Sequence, residues 1–192
     1  MEIRNYQDQD EQSWVRCRVL SFLDTPYYDD VHREKEKYDH PSIELVAIEN
    51  KEVIGLIDIE FDTDDEKICS IESQKGGMIW HLAVHPDYQN RGVGQKLMEE
   101  ADELAGKAGL DYLEAWTRDQ GNSASWFERN DYTLEDEYYH LYLTDEDMSH
   151  NVEPEDDTLI PMYMFAHYTG DNIEQFEDID RKYKCMCYIK TL

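Results

Sequence analysis

From His81 to Gly94 the chain reads His-Leu-Ala-Val-His-Pro-Asp-Tyr-Gln-Asn-Arg-Gly-Val-Gly, the stretch best equipped for chemistry. Gly92 and Gly94 allow a backbone to come close to a ligand. They open a helical pattern, and the N–H groups of a first helical turn have no partner inside the helix. With the helix dipole, those donors make an anion site suited to a pyrophosphate. Arg91 adds positive charge to a chain whose formal net charge is −27. Gly92-x-Gly94 alone is a weak signal. It is not a dinucleotide fingerprint, since Leu97 stands at the third glycine, nor a phosphate loop, since the Gly-Lys-Ser/Thr ending is absent.

Groups able to move a proton lie close by in sequence. His81 sits in the apolar run MIWHLAV (78–84), Asp58 and Glu60 in the run before it, and His140 further on. Histidine titrates near neutrality, and a buried carboxylate can be tuned to do so. Each also has a plainer role: His81 as a satisfied core histidine, Asp58 and Glu60 as solvated strand-face residues. Water is a further alternative as base.

These residues need a scaffold. EIRNY (2–6) alternates like a strand, and 10–23 has helical spacing. VHREKEKY (31–38) is expected as a second helix bordering a substrate entrance. IELVAIE (43–49) and EVIGLIDIEF (52–61) flank Asn50-Lys51 as a hairpin. ICSIES (68–73) reads as another strand, and MIWHLAV as a buried central one. Val93, Leu97, Met98, Ala101, Leu104, Ala105 and Ala108 recur at helical spacing, with Gly109 as the stop. LDYLEAWT (110–117), SASWFERN (123–130) and YTLEDEYYHLYLT (132–144) follow as strand, short helix and strand. Helices between strands imply an α/β layered fold with a parallel crossover over 78–117. After residue 144 the composition turns acidic. The expected division is a main domain over 1–144, an acidic linker over 145–157 and a C-terminal extension over 158–192. That extension contains TLIPMYMFAHY (158–168) and KCMCYIKTL (184–192). It is expected to extend the sheet, cap the substrate cleft or form a homodimer contact.

Composition narrows the partners. With 45 acids against 18 bases, a polyanion such as nucleic acid is repelled and a cationic substrate attracted; solubility alone is the plainer reason for the charge. No apolar run is long enough to cross a membrane, and the acidic, polar N-terminus lacks the features of a secretory signal, so a cytoplasmic location is expected. Cys17, Cys69, Cys185 and Cys187 fit neither a zinc site nor a disulfide framework, so free thiols and no metal are expected.

The pattern Gln89-x-x-Gly92-x-Gly94, after a buried Leu82-x-Val84-x-Pro86 strand and before an amphipathic helix, closely resembles the coenzyme A signature of the GNAT N-acetyltransferase superfamily. The resemblance covers 2–144 in element order and 78–140 in detail. It implies a mixed, mostly antiparallel central sheet flanked by helices, with acetyl-CoA as acyl donor and an amine as acceptor. Backbone groups of Leu82, Ala83 and Val84 are then expected on the pantetheine arm. Amides of Gln89, Asn90, Arg91, Gly92, Val93 and Gly94 are expected on the pyrophosphate, with Asn122 near the arm. Phe127 aligns where the family often has tyrosine, a proposed acid for the departing thiolate, and cannot donate a proton. Tyr132, Tyr138 and Tyr139 are nearby substitutes. Asp131 aligns with the family's glycine. The implied activity is acetyl transfer to a primary amine, with His81, Glu60 and Tyr132 as catalytic candidates. The rival expectation is an acyl-CoA-binding sensor or interaction protein without turnover.

Overall fold

The computed structural model describes residues 1–119, 123–151, 154–156 and 158–192. Its elements are β1 (Glu2–Asn5), α1 (Glu11–Phe22), β2 (Ser42–Glu49), β3 (Glu52–Phe61), β4 (Gly76–Val84), α2 (Val93–Lys107), β5 (Tyr112–Arg118), α3 (Ser123–Arg129), β6 (Thr133–Thr144), α4 (Asp145–Asn151), β7 (Tyr163–Tyr168) and β8 (Lys182–Thr191). This is the expected α/β class with a mixed, mainly antiparallel sheet. The chain forms two compact units, Met1–Ala115 with Ile189–Leu192, and Trp116–Tyr188.

In the first unit the strands run β1-β2-β3-β4-β5. Neighbours are antiparallel up to β4, and β4 and β5 are parallel. Asn50 and Lys51 both take positive φ, 51° and 67°, in the β2–β3 turn. A turn of that hand matches the twist of the strands it joins. On one face, Trp14 and Cys17 of α1 bury against Val46, Val53, Leu56 and Ala83. α2 approaches β3 so closely that a Cβ on Gly55 would stand 2.7 Å from Val93 Cγ1. α2 ends as its sequence dictates. Gly109 adopts φ 75°, Leu110 N–H bonds Ala105 O and Gly109 N–H bonds Gly106 O, a glycine-terminated helix end.

Two expected elements of this unit are replaced. Residues 31–38 form no helix. Lys35, Glu36, Tyr38 and His40 are instead drawn to partners on β2, β3 and β4, which one helical face could not supply. ICSIES forms no strand, since β3 and β4 pair directly through Phe61↔Gly77. The segment winds around Asp62, whose carboxylate accepts from the N–H groups of Ile68, Cys69 and Gly76. Glu114 and the Tyr112 hydroxyl accept from Ser70 and Ile71 N–H.

In the second unit the order is β5-β8-β6-β7. Leu141, Leu143, Met148 and Ile179 form a core on one face, joined by Met164, Tyr168 and Phe176. α4 occupies the start of the stretch expected as a linker. β8, expected in an appended extension, stands between β5 and β6, bonding Asp119 N–H through Lys184 O. All four cysteines are buried free thiols.

Candidate active site

The site begins with an interrupted strand pairing. β4 runs to Val84, but its parallel pairing with β5 ends at Ile79↔Ala115. Among the described residues, the rest of β4 keeps its antiparallel partner β3 on one side only. Backbone groups alternate in direction along such a strand. His85 N–H points to Ile54 O on β3, so Ala83 also turns toward β3, while Leu82 and Val84 turn toward the open edge. Val84 O there accepts from the Gln89 side chain at 3.1 Å. Of the three residues expected to pair with an extended ligand, Leu82 and Val84 present their backbone and Ala83 does not. A bulge at Asp58/Ile59 leaves Trp80 as the extra residue of β4. Trp80 is 47% exposed, and its indole N–H bonds Glu60 Oε2 at 2.8 Å.

Beyond β4, Pro86–Tyr88 form a short turn and Gln89–Gly92 lead into α2. Asn90 and Gly92 take left-handed backbone, φ 59° and 77°. The first intrahelical bond recorded from this end is Lys96 N–H to Gly92 O at 3.1 Å. Helix geometry therefore leaves the N–H groups of Val93, Gly94 and Gln95 pointing out of the first turn. No acidic residue stands in that turn, despite the chain's 45 acids. A Cβ on Gly92 would meet nothing within 4 Å, whereas one on Gly94 would point at Val84, 3.5 Å away. Arg91 lies with its guanidinium 5.1 Å from the Tyr88 ring centre. Donors, open space and positive charge fit a pyrophosphate.

The face of β3 and β4 that carries Asp58, Glu60 and His81 is densely polar. Arg18 Nε–H points at His81 Nδ1 at 3.4 Å, and His81 Nε2 lies 2.7 Å from Glu36 Oε2. An acceptor role at Nδ1 puts the ring proton on Nε2, which donates to Glu36. Glu36 is held below the ordinary carboxylate range first by that hydrogen bond; burial opposes, and the charge of Arg18 adds to the lowering. Its side chain is still 42% exposed. Glu60 is occupied by Trp80 and by His40, at 3.1 Å. His32, Glu36 and His81 bring potential ligand atoms within 4.8 Å of one another. A metal on His81 Nε2 would need the proton on Nδ1, facing the Arg18 donor, so these atoms read as a hydrogen-bond network. Arg18, Lys35, Glu36 and Tyr38 escaped the sequence reading. The one signal was the density of titratable residues in VHREKEKY.

The acetyltransferase (GNAT) family profile matches residues 11–132. This chain belongs to that family. It is an acetyl-CoA-dependent N-acyltransferase. An acetyltransferase of Sodalis glossinidius is 27% identical over 142 residues, covering 71% of this chain and 89% of its own. Two solved structures share the fold. The ribosomal-protein-alanine N-acetyltransferase of Brucella melitensis superposes with TM-score 0.59 at 14% identity, covering 100% of both chains. The PaiA N-acetyltransferase of Thermoplasma acidophilum, solved with coenzyme A, gives 0.54 at 18% identity, covering 70% of this chain and 91% of its own.

The GNAT chain's remaining expected residues lie in the second unit. Asn122 is outside the described residues. Phe127 is buried in an aromatic core, stacked on Tyr188 at 5.3 Å and edge-on to Tyr132 at 5.2 Å. Tyr132 is likewise buried. His140 accepts from Arg118 Nε–H at 3.0 Å and meets the Tyr138 hydroxyl at 3.2 Å. Burial foremost, then Arg118 and His167, pushes its imidazole down to about 4. Asp131 adopts φ 66°, the left-handed conformation expected where the family has glycine. Among the described residues no helix is long and apolar enough to cross a membrane.

Proposed function

We propose that this enzyme acetylates a primary amine on a positively charged acceptor, by direct attack with donor and acceptor bound together. The observation that carries the reading is the free edge of β4, continuous with the donor-rich start of α2. Bound acetyl-CoA supplies an activated thioester. Leu82 and Val84 offer backbone groups along an extended arm, and the amides of Asn90 to Gly94, with Arg91, hold the diphosphate; the expected Gln89 N–H instead bonds Pro86 O at 3.3 Å. Leu82 N–H is the donor we assign to negative charge developing on a carbonyl oxygen. Holding both reactants together makes the attack effectively unimolecular.

The acceptor reading rests on the acidic network beside that edge. Glu36 stays ionised and partly exposed. We assign it to meet the incoming ammonium, with His81 fixing its orientation through Nε2–H. The ammonium must shed a proton before it can attack, and water at the exposed side of Glu36 is the route we assign. Glu60, bonded by Trp80 and His40, supports the bulge in β4 and is not the base in this reading.

The test is release of coenzyme A thiol from acetyl-CoA against a panel of diamines, aminoglycosides and lysine peptides, with neutral amines as controls. Release dependent on cationic amines supports the reading. Binding of acetyl-CoA without turnover on any amine would favour a non-catalytic sensor. No binding would overturn the assignment of residues 82–94.

A further inference from the structure

Next to the Glu36 network lies a second, more enclosed cluster. Lys35 Nζ is 2.6 Å from Glu44 Oε2 and 3.0 Å from Asp58 Oδ2, and its side chain is only 3% exposed. Three rings surround the ammonium: Tyr38 at 4.8 Å, Tyr6 at 5.0 Å and Trp14 at 5.4 Å from their centres. Aromatic faces and carboxylates together are the chemistry that recognises an alkylammonium. Asp58 also accepts from the Tyr38 hydroxyl at 3.0 Å. Among the described residues its other oxygen, Oδ1, is buried with no hydrogen-bond partner. Buried polar atoms are normally satisfied, so this cluster holds more polar capacity than Lys35 uses. A depression of about 220 Å³ lined by Asn5, Tyr6, Ser42 and Glu44 adjoins it. That depression shares Tyr6 and Glu44 with the cage.

Lys35 belongs to the irregular segment between α1 and β2, which contributes no strand or helix of its own. Several anchors of that segment are charged or polar side chains, including Asp30 on Arg18, Glu36 on His81 and His40 on Glu60, beside the Tyr27–Phe22 ring contact. A competing cation could replace Lys35 only by supplying the same charge to Glu44 and Asp58, since a buried carboxylate left without a partner is costly.

We propose that Tyr6, Trp14, Tyr38, Glu44 and Asp58 form a subsite for an alkylammonium group of the acceptor, which Lys35 occupies until a cationic acceptor enters. The inference rests on the cationic-acceptor reading above and extends it to a molecule with two positive centres, one of them held here. The cage lies on β2 and β3, and Asp58 pairs with His81 on β4. The reacting amine is therefore a different group, beyond β4 at its open edge.

The test empties the cage with Lys35→Ala and uses butylammonium, which reproduces the missing side chain. Butylammonium should raise the melting temperature of this variant, while 1-butanol should not. Adding Asp58→Asn should weaken butylammonium binding about tenfold or more, as loss of a charge-assisted bond implies. Lys35→Met, which fills the cage with an apolar chain, should give no response. By calorimetry, 1,4-diaminobutane should bind Lys35→Ala more tightly than wild type, because the internal competitor is gone. If Lys35→Ala does not fold alone, recovery of folded protein with butylammonium supports the proposal and failure to recover overturns it. Equal responses to butylammonium and butanol, or equal diamine affinity for variant and wild type, also overturn it. None of these readouts requires acetyl transfer, so a chain that binds ammonium here yet transfers nothing would sink the catalytic reading alone.

Discussion

Gly92→Ala separates the backbone's role from the ligand's. Gly92 stands at φ 77° at the start of α2, and a Cβ there meets no atom within 4 Å. The free protein therefore suffers no clash. It bears only the left-handed penalty for a residue with a Cβ, about 1–2 kcal/mol. For a chain of this size that lowers the melting temperature by roughly 2–8 °C. If the residue relaxes out of the left-handed region, the first-turn amides turn away from their common target. Losing one charge-assisted hydrogen bond costs about 1.5–3 kcal/mol, or roughly 10–100-fold in affinity. The assay is calorimetric titration with acetyl-CoA beside a thermal scan of the free variant. Gly94→Ala is the control. Its Cβ points at Val84, within the protein, and alanine is the better helix former, so stability should rise by about 0.4–1 kcal/mol with affinity kept. A Gly92→Ala protein that keeps its melting temperature, and so has relaxed out of the left-handed region, yet binds acetyl-CoA like wild type would refute the placement of the pyrophosphate.

Glu36→Gln should raise KM for a cationic acceptor roughly fivefold, the worth of a partly exposed ion pair, while leaving KM for acetyl-CoA unchanged; steady-state kinetics on both substrates checks this. Phe127→Tyr should not improve turnover, because the ring is enclosed by Tyr132 and Tyr188; the new hydroxyl should cost about 1–3 kcal/mol, read by urea unfolding. Asp62 answers to pH. Burial alone would raise its pKa, but N–H donors from Gly76, Ile68 and Cys69, with Lys67, outweigh burial and lower it. A depressed folded pKa stabilises above the unfolded value of about 3.9 and ceases to do so as pH falls through the folded value. Asp62→Ala should therefore lose on the order of 3 kcal/mol at neutral pH and flatten the acid limb of the urea-midpoint profile; an unchanged profile would remove Asp62 as the anchor of that loop.

What the sequence determined alone is local. The spacing of Val93, Leu97, Met98, Ala101 and Ala105 dictated α2, and Gly109 its end, because a helical face and a left-handed terminus need only nearby residues. Asp131, which the resemblance aligned with the family's glycine, takes positive φ. The Gln89–Gly94 loop, which we propose holds the pyrophosphate, stood out in the sequence because backbone and glycines at fixed spacing would carry that chemistry. Where the polar side chains went was decided by tertiary structure. VHREKEKY had the composition of a solvated helix, yet Lys35 and Glu36 are bound to β2, β3 and β4, since the buried carboxylate of Asp58 and the imidazole of His81 required partners. ICSIES had strand composition, but the direct pairing of β3 with β4 left it no edge, and the carboxylate of Asp62 took its N–H groups. KCMCYIKTL read as a strand that could extend the sheet, but nothing in its own residues reveals that β8 stands between β5 and β6. Strand neighbours are chosen by long-range pairing, and hydrophobic alternation specifies a strand's faces without naming the strands at its edges.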